Sequence, residues 1–158
     1  MAPGEAVPPR KAGELAPGVR ARLVKAARAA RENAHAPYSR FLVGAAVLAG
    51  RRIHAGCNVE NASYGLTICA ERNAVAAAVA AGARRVDAVV VVTATEVPTP
   101  PCGACLQVLS ELGGRDLPVL LVGKAGEAGA VLRTLGELMP HGFGARFLEP
   151  RRPPKKAR

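Results

Sequence analysis

Apolar positions along this chain change their spacing several times, and each change marks an element. From Val19 to Asn33, Leu23, Val24, Ala27 and Ala30 recur at helical intervals among arginines, which predicts an amphipathic helix. His35-Ala36-Pro37 ends it, because proline disfavours helical backbone in the residue before it. Phe41 to Leu48 and Arg52 to Val59 then read as two strands joined around Gly50, a connection short enough for an antiparallel hairpin. Helical spacing returns from Ala70 to Ala81, with Gly82 placed to terminate it. In Val86 to Thr93 the run Val89-Val90-Val91-Val92 has no polar alternation, so this strand is expected to be buried on both faces. A proline-rich loop, Val97 to Pro101, leads to a helix from Gly103 to Leu112. Pro118 to Val122 reads as another short strand, and Leu132 to Leu138 as a last strand end or a short helix. This order implies an α/β fold, a three-layer α/β/α sandwich around a mixed, mostly parallel five-stranded sheet. The hairpin would form an antiparallel edge and helical crossovers would make the rest parallel.

Composition adds boundaries to this picture. The chain of 158 residues suits one domain, expected over residues 18–150. Residues 1–17 are rich in Pro, Gly and Ala and are expected to be a disordered extension, as is the basic tail 151–158. The net charge of +10 is concentrated in that tail, which holds +5, while residues 12–150 hold only +4. With no Trp and few other aromatics beside the charge, the stacking surface of a single-strand binder is missing, which weighs against nucleic acid as a partner. The first twenty residues carry no continuous apolar run, so neither a signal peptide nor a membrane anchor is expected, and the expected location is the cytoplasm. Four cysteines in such a setting are free thiols or metal ligands before they are disulfides.

The cysteines carry the chemistry. Cys102 and Cys105 stand three apart, a spacing that puts both side chains on one face of a helix, and Pro101 fits the first turn of that helix. Cys69 begins the preceding helix. Helix N-termini favour negative charge and so favour thiolates. Three thiolates leave a tetrahedral metal one open position, the mark of a catalytic site; a structural site closes with a fourth protein ligand. Glu71, two residues beyond Cys69, points elsewhere than the thiol and is better placed beside the metal as a general acid and base. Arg72 offers a cation to a centre whose thiolates outweigh a divalent ion, although spacing alone also allows an ordinary exposed helix arginine.

These residues resemble a known family. Tyr38-Ser39-Arg40-Phe41-Leu42-Val43-Gly44-Ala45-Ala46, Gly56-Cys57-Asn58-Val59-Glu60-Asn61-Ala62-Ser63-Tyr64-Gly65, Cys69-Ala70-Glu71-Arg72 and Pro101-Cys102-Gly103-Ala104-Cys105-Leu106-Gln107-Val108-Leu109 are together similar to the small, homotetrameric, zinc-dependent cytidine deaminases. The resemblance extends from about residue 20 to Phe143. It implies the cytidine deaminase-like fold, one Zn²⁺ per chain on Cys69, Cys102 and Cys105, and Glu71 as the proton shuttle. It also implies Asn58 and Glu60 at the ribose hydroxyls, Phe41 against the pyrimidine ring and Ala70 at the carbonyl edge of the base. Phe143 would reach a neighbouring subunit's site in a homotetramer. The implied reaction is hydrolytic deamination of a free pyrimidine nucleoside, cytidine or 2′-deoxycytidine, to uridine or 2′-deoxyuridine and ammonia, in pyrimidine salvage. One position departs from the family pattern, Leu106, where arginine is common.

Two other readings use part of the same pattern. Cys-x-x-Cys opening a helix after a strand is also the thioredoxin-like redox arrangement, but that leaves Cys69, Glu71 and Asn58-Val59-Glu60 without a role. A non-catalytic zinc module needs a fourth ligand, for which His54 and Cys57 are the candidates, with Cys57 better read as a small core residue on a strand. His35, His54 and His141 need no metal role if the thiols suffice.

Overall fold

The computed structural model describes residues 15–148; the expected disordered extension and basic tail lie outside them, apart from Leu15 to Pro17. Helix α1 spans Pro17–Arg31, opening with a proline that is at home in a first turn and closing with Arg28 and Arg31, whose charges suit the helix C-terminus. Strands β1 (Gly44–Ala49) and β2 (Arg52–Cys57) form the hairpin, with Ala49 opposite Arg52 and only Gly50 and Arg51 between them. Helix α2 (Ala70–Ala80), strand β3 (Ala88–Val92), helix α3 (Gly103–Gly113) and strand β4 (Pro118–Val122) follow. The final segment is both things its pattern allowed, a strand β5 (Val131–Thr134) running directly into a short helix α4 (Leu135–Leu138). The switch occurs at Thr134 because a capping box forms there. Glu137 N–H donates to Thr134 Oγ1 (3.2 Å), and the Glu137 carboxylate accepts from Thr134 N–H (2.6 Å).

The sheet has the order β2-β1-β3-β4-β5 and is mixed, as expected, but it is not mostly parallel. Of its neighbouring pairs only β3 with β4 is parallel; β1 with β2, β1 with β3, and β4 with β5 are antiparallel. The crossover through α2 does connect two strands that run the same way, β2 and β3. The hairpin partner β1 lies between them, so each of the two meets β1 in the antiparallel sense. The chain also enters β1 later than its apolar pattern suggests, at Gly44 and not Phe41, because residues 41–43 are tied to a side chain described below.

Alternation along the central strands sorts the core into two layers. Ala46 and Leu48 of β1, Val90 and Val92 of β3, and Leu120 and Val122 of β4 pack against Leu23, Val24 and Ala27 of α1. Ala45, Val47, Val89, Val91, Val119 and Leu121 face the opposite way, onto Ala70, Ala74, Val75 and Ala78 of α2 and Leu106 and Leu109 of α3. All five residues of β3 are buried, as a strand covered by helices on both sides requires. Each such valine contributes about 1.5–3 kcal/mol relative to exposure. The three-layer architecture therefore holds α2 and α3 side by side on one face, with their N-termini at the site. Among the described residues no helix is long and apolar enough to cross a membrane.

Candidate functional site

Cys69 is the N-cap of α2 and Cys102 the N-cap of α3, both with extended backbone, and their carbonyls accept the first helical bonds from Asn73 N–H (3.2 Å) and Leu106 N–H (2.9 Å). Pro101 thus stands just outside α3 and not in its first turn. One turn inside α3, Cys105 is fully buried. The sulfurs of Cys69 and Cys102 are 3.8 Å apart and those of Cys102 and Cys105 3.6 Å, and all three lie within 4.8 Å of one another. A tetrahedral zinc with Zn–S bonds of about 2.3 Å sets its sulfurs about 3.8 Å apart, so the cluster has the dimensions of such a site. Among the described residues no histidine and no carboxylate joins this group, which leaves the fourth position open and gives the redox reading no account of why Cys69 is here. His35, His54 and His141 stand outside it. Cys57 is also outside; it ends β2 half-buried, its thiol donating to the Asn33 carbonyl (3.4 Å), so it is less a core residue than its strand position suggests.

The local electrostatics favour a thiolate at Cys69. A hydrogen bond from the Cys105 thiol, helped by the Arg72 guanidinium, pulls the Cys69 thiol down to about 5. The same bond, together with burial, pushes Cys105 up. Arg72 Nη2 donates to the Thr67 carbonyl (2.8 Å) and lies 3.8 Å from Cys69 Sγ, which brings its charge to the edge of the thiol cluster. Glu71, in the first turn of α2, is 5 % exposed. Burial raises its carboxyl above the ordinary carboxylate range, and the neighbouring Cys69 charge adds to the effect. A carboxyl in that condition can take up a proton where a surface carboxylate stays ionised.

The rest of the candidate site comes from β2 and the loop before β1. Gly56 lies against the first turns of α2; a Cβ there would stand 2.5 Å from Ala74 N and 2.9 Å from the Ala70 carbonyl oxygen, so the strand that leads to Asn58 can approach Ala70 only as glycine. Asn58 is buried, and its amide bridges the backbone of the preceding loop: Oδ1 accepts from Val43 N–H (2.8 Å) and Nδ2 donates to the Phe41 carbonyl (2.8 Å). Glu60 holds the same loop further out. Its carboxylate accepts from Tyr38 N–H (2.9 Å), Ser39 N–H (3.2 Å) and the Ser39 hydroxyl, which in turn accepts from Phe41 N–H (3.0 Å). Arg40 within this turn has φ 57°, a left-handed conformation rare for a side chain of its size, so the turn is over-determined by these bonds. Asn58 and Glu60 therefore have a positioning task that the sequence did not disclose. Ser39 belongs to the same device, and its only signal in the sequence is a hydroxyl two residues after a proline and two before an aromatic.

Phe41, presented by that turn, is 41 % exposed, while Ala70 is fully buried at the start of α2. Phe143 does not join them. Its carbonyl accepts from Gln107 Nε2 (3.1 Å), its ring stacks on Phe147 at 5.8 Å, and it lines a separate cavity of about 240 Å³ with Ser110, Arg115, Leu135 and Met139. Leu106, the departure from the family pattern, is buried and packs in the core beside α2.

Residues 19–121 match the cytidine and deoxycytidylate deaminase zinc-binding region. The chain belongs to this deaminase family. It is 49 % identical over 124 residues to a cytidine deaminase of Halalkalibacterium halodurans, covering 78 % of this chain and 92 % of that protein. Among solved structures, the cytidine deaminase of Burkholderia pseudomallei matches with a TM-score of 0.73 and 48 % identity over 78 % of this chain and 98 % of that one. That of Mycobacterium tuberculosis matches with a TM-score of 0.68 and 42 % identity over 79 % of this chain and 97 % of that one. The family is a zinc-binding one, in keeping with the dimensions of the three-thiol cluster.

The Glu60 interaction has a pH consequence. Hydrogen bonds, first from the Ser39 hydroxyl, hold its carboxyl below the ordinary value of 4.5. A depressed carboxyl stabilises the fold above its unfolded-state pKa, and that contribution is lost as pH falls through the lower folded value. An NMR titration should therefore place the Glu60 midpoint below 4.5, and Ser39→Ala should move it upward. A midpoint at or above the ordinary value in the unsubstituted protein would contradict the arrangement.

Proposed function

We propose that this chain is a deaminase of free cytidine and 2′-deoxycytidine, acting hydrolytically to give uridine or 2′-deoxyuridine and ammonia. The observation that carries this reading is the buried carboxyl of Glu71 beside a three-thiol cluster of zinc dimensions with one position open. Cys69, Cys102 and Cys105 would hold the ion, and Arg72 would offset the excess charge of its thiolates. When bound, zinc supplies a water whose pKa is lowered from about 15.7 to near 7. Glu71 would accept a proton from the attacking water as its oxygen adds to C4 of the base, and would hand that proton to N3. It would then take the remaining proton from the hydroxyl added at C4 and deliver it to the amino group, so that C–N cleavage releases ammonia, the C4 oxygen becomes the product carbonyl and the carboxyl returns to its starting state. One buried carboxyl can serve both transfers because its burial brings the protonated and ionised forms closer in free energy.

Selection of the substrate falls to the groups around the opening. Phe41 would lie on the pyrimidine face and the backbone at Ala70 would meet the base carbonyl edge. Asn58 and Glu60 would receive the ribose hydroxyls through the hydrogen-bonding capacity that their backbone contacts leave over. An ionised Glu60 repels a 5′-phosphate, which favours nucleosides over nucleotides. The exposed ring of Phe143 suits a contribution to a neighbouring copy's site in a homotetramer, and the same reading places the enzyme in cytoplasmic pyrimidine salvage. A spectroscopic assay should find turnover of cytidine and deoxycytidine and little or none of their monophosphates or of adenosine. Equal or faster turnover of a monophosphate would overturn the substrate assignment.

A further inference from the structure

The loop from β3 to α3 delivers Cys102 to the cluster, and side chains hold most of it. Three of its residues, Pro98, Pro100 and Pro101, have no N–H to give. Its backbone is tied to β4 near the start, where Thr93 N–H donates to the Val122 carbonyl (2.9 Å) and the Thr95 carbonyl accepts from Lys124 N–H (2.9 Å). Beyond that point an exposed ion pair joins Glu96 to Lys124 (2.6 Å), and the connection that runs on toward Cys102 is a row of hydroxyls. Thr93 Oγ1 and Thr95 Oγ1 share a hydrogen bond of 2.7 Å, and Thr95 Oγ1 and Thr99 Oγ1 one of 3.0 Å. Thr93 is 4 % exposed, so the row is rooted in the protein interior. On the other side the loop rests on Gly123, where a Cβ would stand 2.6 Å from the Thr95 carbonyl oxygen.

Between Thr99 and Cys102 there are only Pro100 and Pro101. Their rings fix φ near about −65°, and the residue before each proline is confined to extended backbone. The link is therefore stiff, and wherever Thr99 is held Cys102 is held too. The other thiols have anchors of their own: Cys69 has Arg72, and Cys105 is buried in the core. Cys102 is exposed and stands at the helix boundary, so its place depends on the loop.

We infer that Thr93, Thr95 and Thr99 are positioning residues for Cys102, and that their hydroxyl chain sets how firmly this protein retains its metal. The inference rests on the cysteine cluster being a zinc site. Thr95, which bonds in both directions, is the residue on which the chain depends most.

The test compares zinc-loaded wild type with Thr95→Val, Thr95→Ser and Thr99→Val, following zinc release to an excess of a colorimetric chelator well below the unfolding temperature. Valine keeps the shape and removes the hydroxyl. Loss of a part-buried hydrogen bond corresponds to about a tenfold change, so Thr95→Val is expected to release zinc about ten times faster than wild type. Thr99→Val should be faster by a smaller factor, and Thr95→Ser should match wild type. Release from Thr95→Val at the wild-type rate would overturn the inference, as would a serine variant as leaky as the valine one. If Thr95→Val does not fold, Thr99→Val decides: faster release supports the hydroxyl chain and an unchanged rate overturns it. A wild-type chain that holds no zinc at the outset would sink the metal reading and this inference together, an outcome visible before any chelator is added.

Discussion

Glu71→Gln is expected to abolish turnover while leaving zinc in place. Glutamine preserves the size and hydrogen-bonding shape of the side chain but cannot carry a proton between water, N3 and the leaving amino group. Glu71 is the sole buried carboxyl among the described residues, so no second group stands ready to replace it. General acid–base catalysis by one group is worth up to roughly 10⁴-fold, and because two transfers pass through the same carboxyl the loss should lie at that upper end. Zinc content should stay at the wild-type level, since Glu71 lies outside the three-thiol group. Stability should not fall either, because burying an ionised carboxyl opposes folding and a neutral amide escapes that cost. Turnover, metal content and melting temperature measured on one preparation check all three. A variant with near-normal turnover would remove Glu71 from the mechanism.

How much of this was legible in the chain follows from which interactions are local. Cys102 and Cys105 share a helix face because of their spacing, and Cys69 and Glu71 diverge for the same reason; such relations are written in sequence. Helix ends and the hairpin were legible on the same terms, since proline, glycine and apolar periodicity act within a few residues. The direction of the sheet was not. Whether β3 lies beside β2 or beside β1 depends on which edge of the hairpin α2 leaves free, and the parallel-sheet reading failed at that point. Asn58 and Glu60 show a different limit. A ribose role is implied by resemblance, yet their bonds run to the backbone of residues 38–43, and nothing in a side chain's identity announces a main-chain partner fifteen or more positions away. The threonine row is not legible in the chain because hydroxyls in a proline-rich loop look the same in sequence whether they bond to one another or to water.

Cys102→Ala should cost the protein both its zinc and its activity, and it separates the metal's contribution from that of packing. Cys105 is buried in the core, so its truncation would combine a lost ligand with a cavity; Cys102 is exposed, and its removal leaves the packed interior unchanged. A ligand bound only by the folded state stabilises it by about 4 kcal/mol at a thousandfold excess over its dissociation constant, which for a domain of this size is roughly 10 °C in melting temperature. The zinc-loaded wild type should therefore melt roughly 10 °C above Cys102→Ala. Adding a chelator should bring wild type down to the variant's value and leave the variant where it was. Cys57→Ala supplies the contrast: its thiol bonds to the Asn33 carbonyl and stands outside the cluster, so zinc content and turnover should persist. If chelator lowered the melting temperature of Cys102→Ala as far as that of wild type, zinc would be held elsewhere, and the three-thiol site would no longer account for the enzyme's metal.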